Sequence, residues 1–332
     1  MADLVEHNPN ILIAESEQSS SERDTESATG DDARSLTGSL SEAASYRYEN
    51  GRRYLDTKDS GYVIPSDNIE SERLDLEHTL WYLTLIDRQW LAPIPDDVKE
   101  VLDVGCGTGT WAMDFAREHP QANVLGIDLC PTEPPSVPPN CTFKVTDGEA
   151  DWEYDHQFDF IHSRILTIGF KDWPRYFRQA YANLKPGGWF EVQEPILPFR
   201  CNDDSATSAN SALIQWSEYL LEGAAYNGLF MGVARRFFPM LTSAGFENIH
   251  VQQFQWPSNS WGKGDRAKKM GVIMREDFQE LLAGASLAVF TRYLGWTKEQ
   301  LDEFIVDYTN GMPGIRIVYW AQKPEEEKKN DV

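Results

Sequence analysis

The 332-residue chain has a formal charge of −23, and apolar and aromatic residues make up 41% and 12% of it. This length and apolar share allow one large hydrophobic core or two smaller ones. The negative charge would repel a phosphate backbone, so the composition argues against nucleic acid as a substrate or partner. No apolar run approaches the ~20 residues that span a bilayer, and we expect no membrane segment.

The location inside the cell is predicted from the N-terminal residues and the cysteines. The first residues lack a basic leader followed by a long apolar core, which argues against a secretory signal. No two cysteines have C-x-x-C spacing, so neither a zinc site nor a disulfide scaffold is expected, and the site residues include no metal ligands. We therefore expect the protein in a reducing compartment, most simply the cytoplasm, with the nucleus as an alternative. The four cysteines are Cys106, Cys130, Cys141 and Cys201.

The first 45 residues contain ten acidic and two basic residues, with few large apolar groups. Such a segment cannot bury enough apolar surface to offset its ordering entropy, so we predict a disordered acidic tail. From Tyr46 the chain becomes aromatic and basic. After Ser66-Asp67-Asn68, leucines at helical spacing predict a helix, and Pro93 and Pro95 separate it from the first strand of the core.

A buried strand, a glycine-rich turn and the start of a helix are predicted over residues 101–111. The strand is almost wholly apolar between Val101 and Val104, as a parallel strand covered on both faces should be. Gly105, Gly107 and Gly109 let the backbone turn sharply and approach a ligand closely. Free N–H groups at the start of the following helix would bind a polar ligand group.

Three further short strands are predicted, each followed by polar residues. The first ends at Asp128, about 20 residues after the glycines, where doubly wound folds place their acceptor for ribose hydroxyls. The next ends at Asp147, and the last leads into His162, Ser163 and Arg164. Because ligands bind at the carboxyl ends of parallel strands, these groups are expected at one site.

The second half of the chain is predicted to alternate helices with two strands. Helices are expected over about 208–222, 232–244, 274–293 and 297–308, with Gly245 ending the second. Strands are expected over 248–256 and 315–321.

The order of motifs from Val98 to Glu194, including Leu184-Lys185-Pro186-Gly187-Gly188 before the fifth strand, resembles class I S-adenosylmethionine-dependent methyltransferases. The resemblance implies a doubly wound, Rossmann-like sheet of seven strands and S-adenosyl-L-methionine as cofactor. A nicotinamide-dependent dehydrogenase would share the glycine turn and Asp128. That alternative is disfavoured, because the third glycine follows the second by two residues and breaks the G-x-G-x-x-G spacing.

A closer resemblance, to fungal LaeA-like methyltransferases, extends over about residues 46–324. It rests on segments such as Tyr48–Tyr54, Phe158–Arg164 and Leu287–Trp296. The resemblance implies a role in fungal secondary metabolism, with methyl transfer to oxygen or nitrogen of a small-molecule acceptor. The alternative that it leaves open is a nuclear regulator acting through velvet-type protein partners or through protein methylation.

These resemblances divide the chain into five predicted parts. After the acidic tail of residues 1–45 comes an N-terminal lid and helical segment over 46–95. The cofactor-binding core covers 96–200. Acceptor-side helices and the last two strands of the same domain cover 201–323, and a charged tail covers 324–332.

The predicted cofactor-binding residues follow three strands. Asp103 would contact the cofactor's ammonium group directly or through water, or else hold the turn by accepting from backbone amides. Asp128 would accept from both ribose hydroxyls, or else be a surface acid at the end of a strand. Asp147, with Glu149 as the alternative, would accept from the adenine amino group. The full set is Asp103, Gly105, Cys106, Gly107, Thr108, Gly109, Asp128, Leu129, Asp147 and Gly148.

His162 and Glu194 are the catalytic candidates. His162 would take a proton from the acceptor, or else be a structural hydrogen-bonding group. Glu194 would orient an acceptor amine or hydroxyl, whereas Glu191 is expected to face a helix or solvent. Arg164 is expected to pair with a carboxylate of the cofactor or the lid. Because the sulfonium is already an activated methyl donor, the protein would mainly position the acceptor and exclude water.

Several aromatic and basic residues have two interpretations. Trp152 would wall the cofactor pocket or belong to the core. A first group would close over the cofactor as a lid, or cover apolar core surface as a strap: Tyr46, Tyr48, Arg52, Arg53 and Tyr54. A second group would line an apolar acceptor pocket or pack in the core: Trp216, Tyr219, Tyr226, Phe230, Phe237, Phe238, Trp256 and Trp261.

Overall fold

The computed structural model describes residues 45–56, 62–132, 134–200, 211–260, 262–306 and 314–325. The two predicted tails lie outside these ranges, apart from residues 45, 324 and 325. In chain order the helices and strands are β1 (Tyr46–Glu49), β2 (Arg52–Leu55), α1 (Asn68–Thr84), β3 (Glu100–Val104), α2 (Thr110–Glu118), β4 (Asn123–Asp128), β5 (Cys141–Val145), β6 (Phe158–Arg164), α3 (Trp173–Asn183), β7 (Leu184–Ile196), α4 (Ala212–Tyr226), α5 (Phe237–Ala244), β8 (Glu247–Trp256), α6 (Asp265–Tyr293), α7 (Lys298–Val306) and β9 (Gly314–Gln322).

Seven strands form the central sheet in the order β5-β4-β3-β6-β7-β9-β8. Neighbouring strands from β5 to β7 are parallel, and β9 is antiparallel to both β7 and β8. The predicted doubly wound, seven-stranded sheet is confirmed. Its parallel strands bring the ends of β3, β4, β5 and β6 to one edge.

Strand β3 is buried on both faces, as its apolar sequence predicted. Side chains alternate across a strand, and Val101 packs in one cluster with Trp111 and Phe115 of α2. Leu102 and Val104 pack in a second cluster on the opposite face of the sheet. The helices on the two faces therefore hold the end of β3, and the glycine turn after it, in place.

Three helix boundaries differ from those predicted, and the first is the end of α4, at Tyr226 rather than near 222. Helix α6 begins at Asp265 rather than near 274, because its polar first turns carry no apolar periodicity. The segment expected to be helical from 232 is a 3-10 turn over Val233–Arg236 and only then α5. Pro239 lies in the first turn of α5, where a missing backbone N–H has no cost. Gly245 ends that helix with φ 104°, as predicted.

The segment before α1 contains a hairpin that the sequence analysis did not identify. Strands β1 and β2 pair antiparallel around Asn50 and Gly51, which have φ angles of 50° and 80°. Asn-Gly favours this type of tight turn, and was the available signal. Among the described residues, no helix is long and apolar enough to cross a membrane.

Candidate functional site

A cavity opens at the carboxyl ends of β3, β4 and β6, and α1 covers part of it. It brings together residues from all the predicted motifs. Gly109 and Glu194 are absent from its lining. The predicted residues that line it are Asp103, Gly105, Cys106, Gly107, Thr108, Asp128, Leu129, Asp147, Gly148 and His162.

Two glycines of the turn make room for side chains that pack against it. Gly105 has φ 68°, and a Cβ there would collide with the side chain of Leu166, which also lines the cavity. Gly109 has φ 79°, and a Cβ there would meet Phe143 of β5. The first glycine thus lets Leu166 approach the turn at the cavity, whereas the third serves the packing of the turn on the sheet.

Asp128 ties the glycine turn to the end of β4. Its two carboxylate oxygens accept hydrogen bonds from the N–H groups of Gly107 (2.9 Å) and Cys130 (2.8 Å). Burial raises the pKa of this carboxyl, against the lowering effect of those two donors. The turn-holding role that we considered for Asp103 is therefore performed by Asp128. Each oxygen keeps a further lone pair for a ribose hydroxyl.

Asp103 and His162 face each other across β3 and β6. Asp103 Oδ1 lies 2.8 Å from His162 Nδ1, and both side chains are almost fully buried. The imidazole stacks on the indole of Trp111, with ring centroids 3.8 Å apart. Burial raises the pKa of Asp103 to about 7 and lowers that of His162 well below its ordinary value. A cationic group that binds beside Asp103 would therefore favour its ionised form, while His162 stays neutral.

Arg164 places a guanidinium group in the cavity wall. Its Nε donates to Gln193 Oε1 (2.8 Å), and Nη1 lies 3.3 Å from His78 Nδ1. Burial lowers the pKa of Arg164 to about 10, so the group remains charged at neutral pH. Its hydrogen-bond partners in the described part of the chain are an amide and an imidazole, which leaves the charge available to a ligand's carboxylate.

Helix α1 closes the cavity and is fastened to the glycine turn. Asp75 Oδ1 accepts from the hydroxyls of Thr108 (2.9 Å) and Thr110 (3.0 Å). The next residues on the same helix, Glu77 and His78, line the cavity. Helical spacing predicted α1, but nothing in the sequence indicated which polar residues of the helix would meet the turn.

The hydrogen bonds of Asp147 and Glu149 distinguish their roles. Glu149 Oε1 accepts from the N–H groups of Lys171 and Asp172, both at 2.8 Å, and so fixes the loop before α3. Asp147 Oδ1 accepts from the Glu149 N–H (2.8 Å). Asp147 is exposed at the cavity, which favours it over Glu149 as the adenine acceptor.

Glu194 is buried beside the cavity rather than in it. Its carboxylate accepts from the N–H of Leu166 (2.7 Å) and from the Thr167 hydroxyl (2.8 Å). It therefore holds the short turn after β6, which does not support the predicted contact with an acceptor. Glu191 also differs from expectation: it is fully buried and accepts from the N–H groups of Leu91 and Ala92.

The aromatic candidates pack mainly in the core. Trp152 donates to the Gly148 carbonyl (2.9 Å) and packs edge-on against Tyr176, away from the cavity lining. Trp261 lies outside the described residues. Of the other seven second-half candidates, none lines the cavity; Trp216, Phe237 and Trp256 are buried in core clusters, whereas Tyr226, Phe230 and Phe238 are exposed.

The hairpin residues divide between the two predicted roles. Arg52 forms two hydrogen bonds with Asp67 at 2.7 and 2.8 Å, and Tyr54 is buried beneath Arg292 of α6. These contacts are those of a strap. Tyr46 and Arg53 line a second cavity beside the glycine turn, whereas Tyr48 is 74% exposed. None of the five lines the main cavity.

A family model described as a methyltransferase domain matches residues 80–251 of the chain. The chain belongs to this methyltransferase family. It is 36% identical to the methyltransferase pytC of Aspergillus terreus, over 88% of this chain and 90% of that protein. It is 33% identical to the secondary metabolism regulator laeA of Aspergillus fumigatus (83% and 76%) and to the protein-methionine methyltransferase laeA of Emericella nidulans (86% and 78%).

Membership of this family confirms the predicted enzyme class and its cofactor, S-adenosyl-L-methionine. The relatives also confirm the predicted resemblance to fungal secondary-metabolism methyltransferases. The dehydrogenase alternative is set aside. The cavity suits this cofactor, which carries an ammonium, a carboxylate and a ribose diol. Around the glycine turn it presents carboxylates (Asp103, Asp128) and a guanidinium (Arg164) that complement those groups.

Proposed function

We propose that this methyltransferase is a tailoring enzyme of fungal secondary metabolism that transfers a methyl group to oxygen or nitrogen of a small molecule. The observation that carries the proposal is the depth of the cavity, which α1 covers in part. Asp103, His162 and Glu77 line it and are each less than 5% exposed, so part of the lining lies well below the protein surface. A recessed site of this kind admits a small acceptor more readily than a segment of a folded protein.

The cofactor's polar groups are assigned to residues at the strand ends. Asp103 receives the ammonium, and Arg164, on the adjacent strand β6, receives the carboxylate of the same amino-acid moiety. Asp128 accepts from the ribose hydroxyls, and Asp147 from the adenine amino group. In these assignments each charged group of the cofactor meets a residue of opposite charge, and each hydrogen-bond donor meets an acceptor. No residue is used twice.

The chain's own contribution to the reaction is positioning and exclusion of water. The bound cofactor supplies an electrophilic methyl group, so no residue has to activate the donor. The turn after β6 and helix α1 wall the cavity and hold the acceptor against the donor. His162 is neutral at pH 7, since burial lowers its pKa. Its contacts with Asp103 and Trp111 suit it better to orienting that carboxylate than to deprotonating the acceptor.

Protein methylation is the second candidate, because the Emericella nidulans relative is named a protein-methionine methyltransferase. A methionine side chain is narrow enough to enter a recessed cavity. This alternative would accompany nuclear localisation and protein partners, whereas the tailoring role is proposed for the cytoplasm.

Incubation with methyl-labelled S-adenosylmethionine and an extract of the source organism tests the proposal. Label in organic-extractable small molecules is the expected result, and label recovered only on protein would contradict it. The matched variants are Asp128→Ala, which should lose labelling, and Asp155→Asn, which should keep it because this carboxylate is 97% exposed and does not line the cavity.

A further inference from the structure

Three large side chains from different elements meet behind one wall of the cavity. Trp81 of α1 and Trp256 of β8 pack edge-to-face, with ring centroids 5.2 Å apart. The guanidinium of Arg316, on β9, lies over the Trp256 ring at 4.0 Å. We refer to Trp81, Trp256 and Arg316 as the donor cluster.

The donor cluster holds four buried N–H groups that lack an acceptor. They are Nε1 of Trp81, Nε1 of Trp256, and Nε and Nη1 of Arg316. All three side chains are at most 2% exposed, and no residue in the described ranges accepts from these atoms. Buried polar groups are normally paired, so a concentration of unpaired donors marks a place where oxygen atoms are bound.

The nearby carboxylates are already committed to another cation. Arg73 donates to Glu70 Oε1, Glu77 Oε2 and Asp277 Oδ1, each at 2.8 Å. The carboxylate oxygen paired with Arg316 is Glu77 Oε1, at 4.0 Å, too far for a hydrogen bond. Arg316 thus lies beside acidic residues without a hydrogen bond to any of them.

Asp277, a buried acid near Arg316, has one carboxylate oxygen left for a ligand. Its Oδ2 is buried and has no hydrogen-bond partner among the described residues. Burial raises the pKa of its carboxyl to about 7, against the lowering effect of Arg73.

The donor cluster lies at the same edge of the sheet as the cavity. Because β9 runs antiparallel to β7, its early residue Arg316 pairs with Pro195, near the carboxyl end of β7. Two cavity-lining residues connect the sites: Glu77 approaches Arg316, and the Arg164 guanidinium lies over Trp81 at 5.3 Å. One layer of side chains therefore separates the cofactor cavity from the donor cluster.

We propose that the donor cluster binds a carboxylate on the methyl acceptor, at a position remote from the methylated atom. This inference rests on the proposed function and names its substrate class, a small organic acid. Arg316 supplies the charge, and the two indole N–H groups orient the carboxylate's oxygens. Glu77 and Arg164, which line the cofactor cavity, contact Arg316 and Trp81 respectively, so the acceptor would have to pass these two side chains to reach the cluster.

Fractionation of the extract before the reaction tests the inference without any variant. The extract is passed over an anion exchanger at pH 7, and each fraction is incubated with enzyme and methyl-labelled cofactor. The acceptor is expected in the retained, acidic fraction. An acceptor found only in the flow-through would overturn the inference and leave the proposed function intact. Absence of labelled small molecules from both fractions would overturn the two together.

Variants at Arg316 test the residue itself. With the acidic fraction as acceptor, Arg316→Met should lower the labelling rate at limiting acceptor about 100-fold, since it removes one partner of a buried charge pair. Arg316→Lys should recover part of the rate. Calorimetric affinity for S-adenosylhomocysteine should stay within about threefold of wild type for both, which shows that the cofactor cavity is folded.

The control is Arg175→Met, which removes an exposed ion pair with Asp151. Normal labelling by Arg316→Met, with its cofactor affinity retained, would overturn the role of Arg316. If that variant does not fold, the fractionation result decides the inference alone.

Discussion

Asp103 Oδ1 lies 2.8 Å from Nδ1 of His162, and the imidazole is fixed by stacking on Trp111 at 3.8 Å. Asp103 is the last residue but one of β3 and Trp111 lies in the first turn of α2, so a single run of nine residues supplies the carboxylate, the glycine turn and the ring that fixes the carboxylate's partner. The geometry of the ammonium site is thus determined largely within the first strand-turn-helix unit.

The affinity for the cofactor should depend on pH around neutrality. Burial raises the pKa of Asp103 to about 7, and an ammonium group binds the ionised form. Below pH 7, binding should therefore release up to one proton, and affinity should fall by up to about tenfold per pH unit. Calorimetry with S-adenosylhomocysteine from pH 5.5 to 8.5, in buffers of different ionisation heat, measures both quantities. Asp103→Asn should bind weakly with a flat profile; a steep profile in that variant would assign the proton elsewhere.

Removing the Asp128 carboxylate should weaken cofactor binding by about 1–3 kcal/mol, the scale of hydrogen bonds to a charged group. The same change leaves the Gly107 and Cys130 N–H groups without their acceptor, so the turn itself loses support. Asp128→Ala and Asp128→Asn are compared by calorimetry, and the amide, which keeps one acceptor oxygen, should lose less. Unchanged affinity in both would show that the ribose lies elsewhere.

Glu194 should stabilise the folded protein by holding the turn after β6. Glu194→Ala leaves the Leu166 N–H and the Thr167 hydroxyl unpaired, at a cost of about 1–3 kcal/mol in the free energy of unfolding. Urea denaturation measures it, and Thr167→Val in a double-mutant cycle should show strong coupling. A variant with normal stability but a lower kcat would instead support the acceptor-orienting role predicted from the sequence.

The free energy of unfolding should decrease as the pH rises from about 5 to about 8. Burial raises the pKa of Asp103, Glu191 and Asp277 to about 7 and that of Glu194 to about 8. In the unfolded chain these groups titrate near 3.8 and 4.5, so within this window the folded state binds more protons. Raising the pH then favours unfolding, by up to ~1.4 kcal/mol per group and pH unit.

Urea midpoints measured at pH 5.5, 6.5 and 7.5 check this trend. The matched variant is Glu194→Gln, which cannot ionise and should show a shallower decrease. Stability that rises across the same range would contradict the raised pKa values.

The core of the fold could be predicted because its signals are local. The apolar run from Val101 to Val104, the glycines and the acid at the end of β4 lie within 30 residues and constrain one another. The seven-stranded sheet then follows from the order of the strands. The β1–β2 hairpin was not predicted although Asn50-Gly51 is a strong local turn signal, because strands of four residues each are too short to show a clear alternation of apolar and polar side chains.

The polar residues of α1 could not be placed from sequence because their partners are distant. Asp75 meets Thr108 and Thr110, and Arg73 meets Asp277, 204 residues away. Periodicity identifies the apolar side of a helix, but it does not reveal which charge on the helix meets which turn. The contacts of Glu194 with Leu166 and Thr167 likewise could not be predicted, because strand alternation does not show which neighbouring groups a side chain meets.

The bond from Arg73 to Asp277 also determines when the cavity can form during synthesis. Helix α1, which supplies Glu77 and His78 to the lining, leaves the ribosome well before α6 and β9. Until α6 emerges, Arg73 has only its own helix's carboxylates as partners, and the apolar side of α1 has no α6 to cover it. A nascent chain should therefore acquire cofactor affinity only after α6 has been synthesised, and shortened transcripts ending before α6 should yield protein that cannot retain the cofactor.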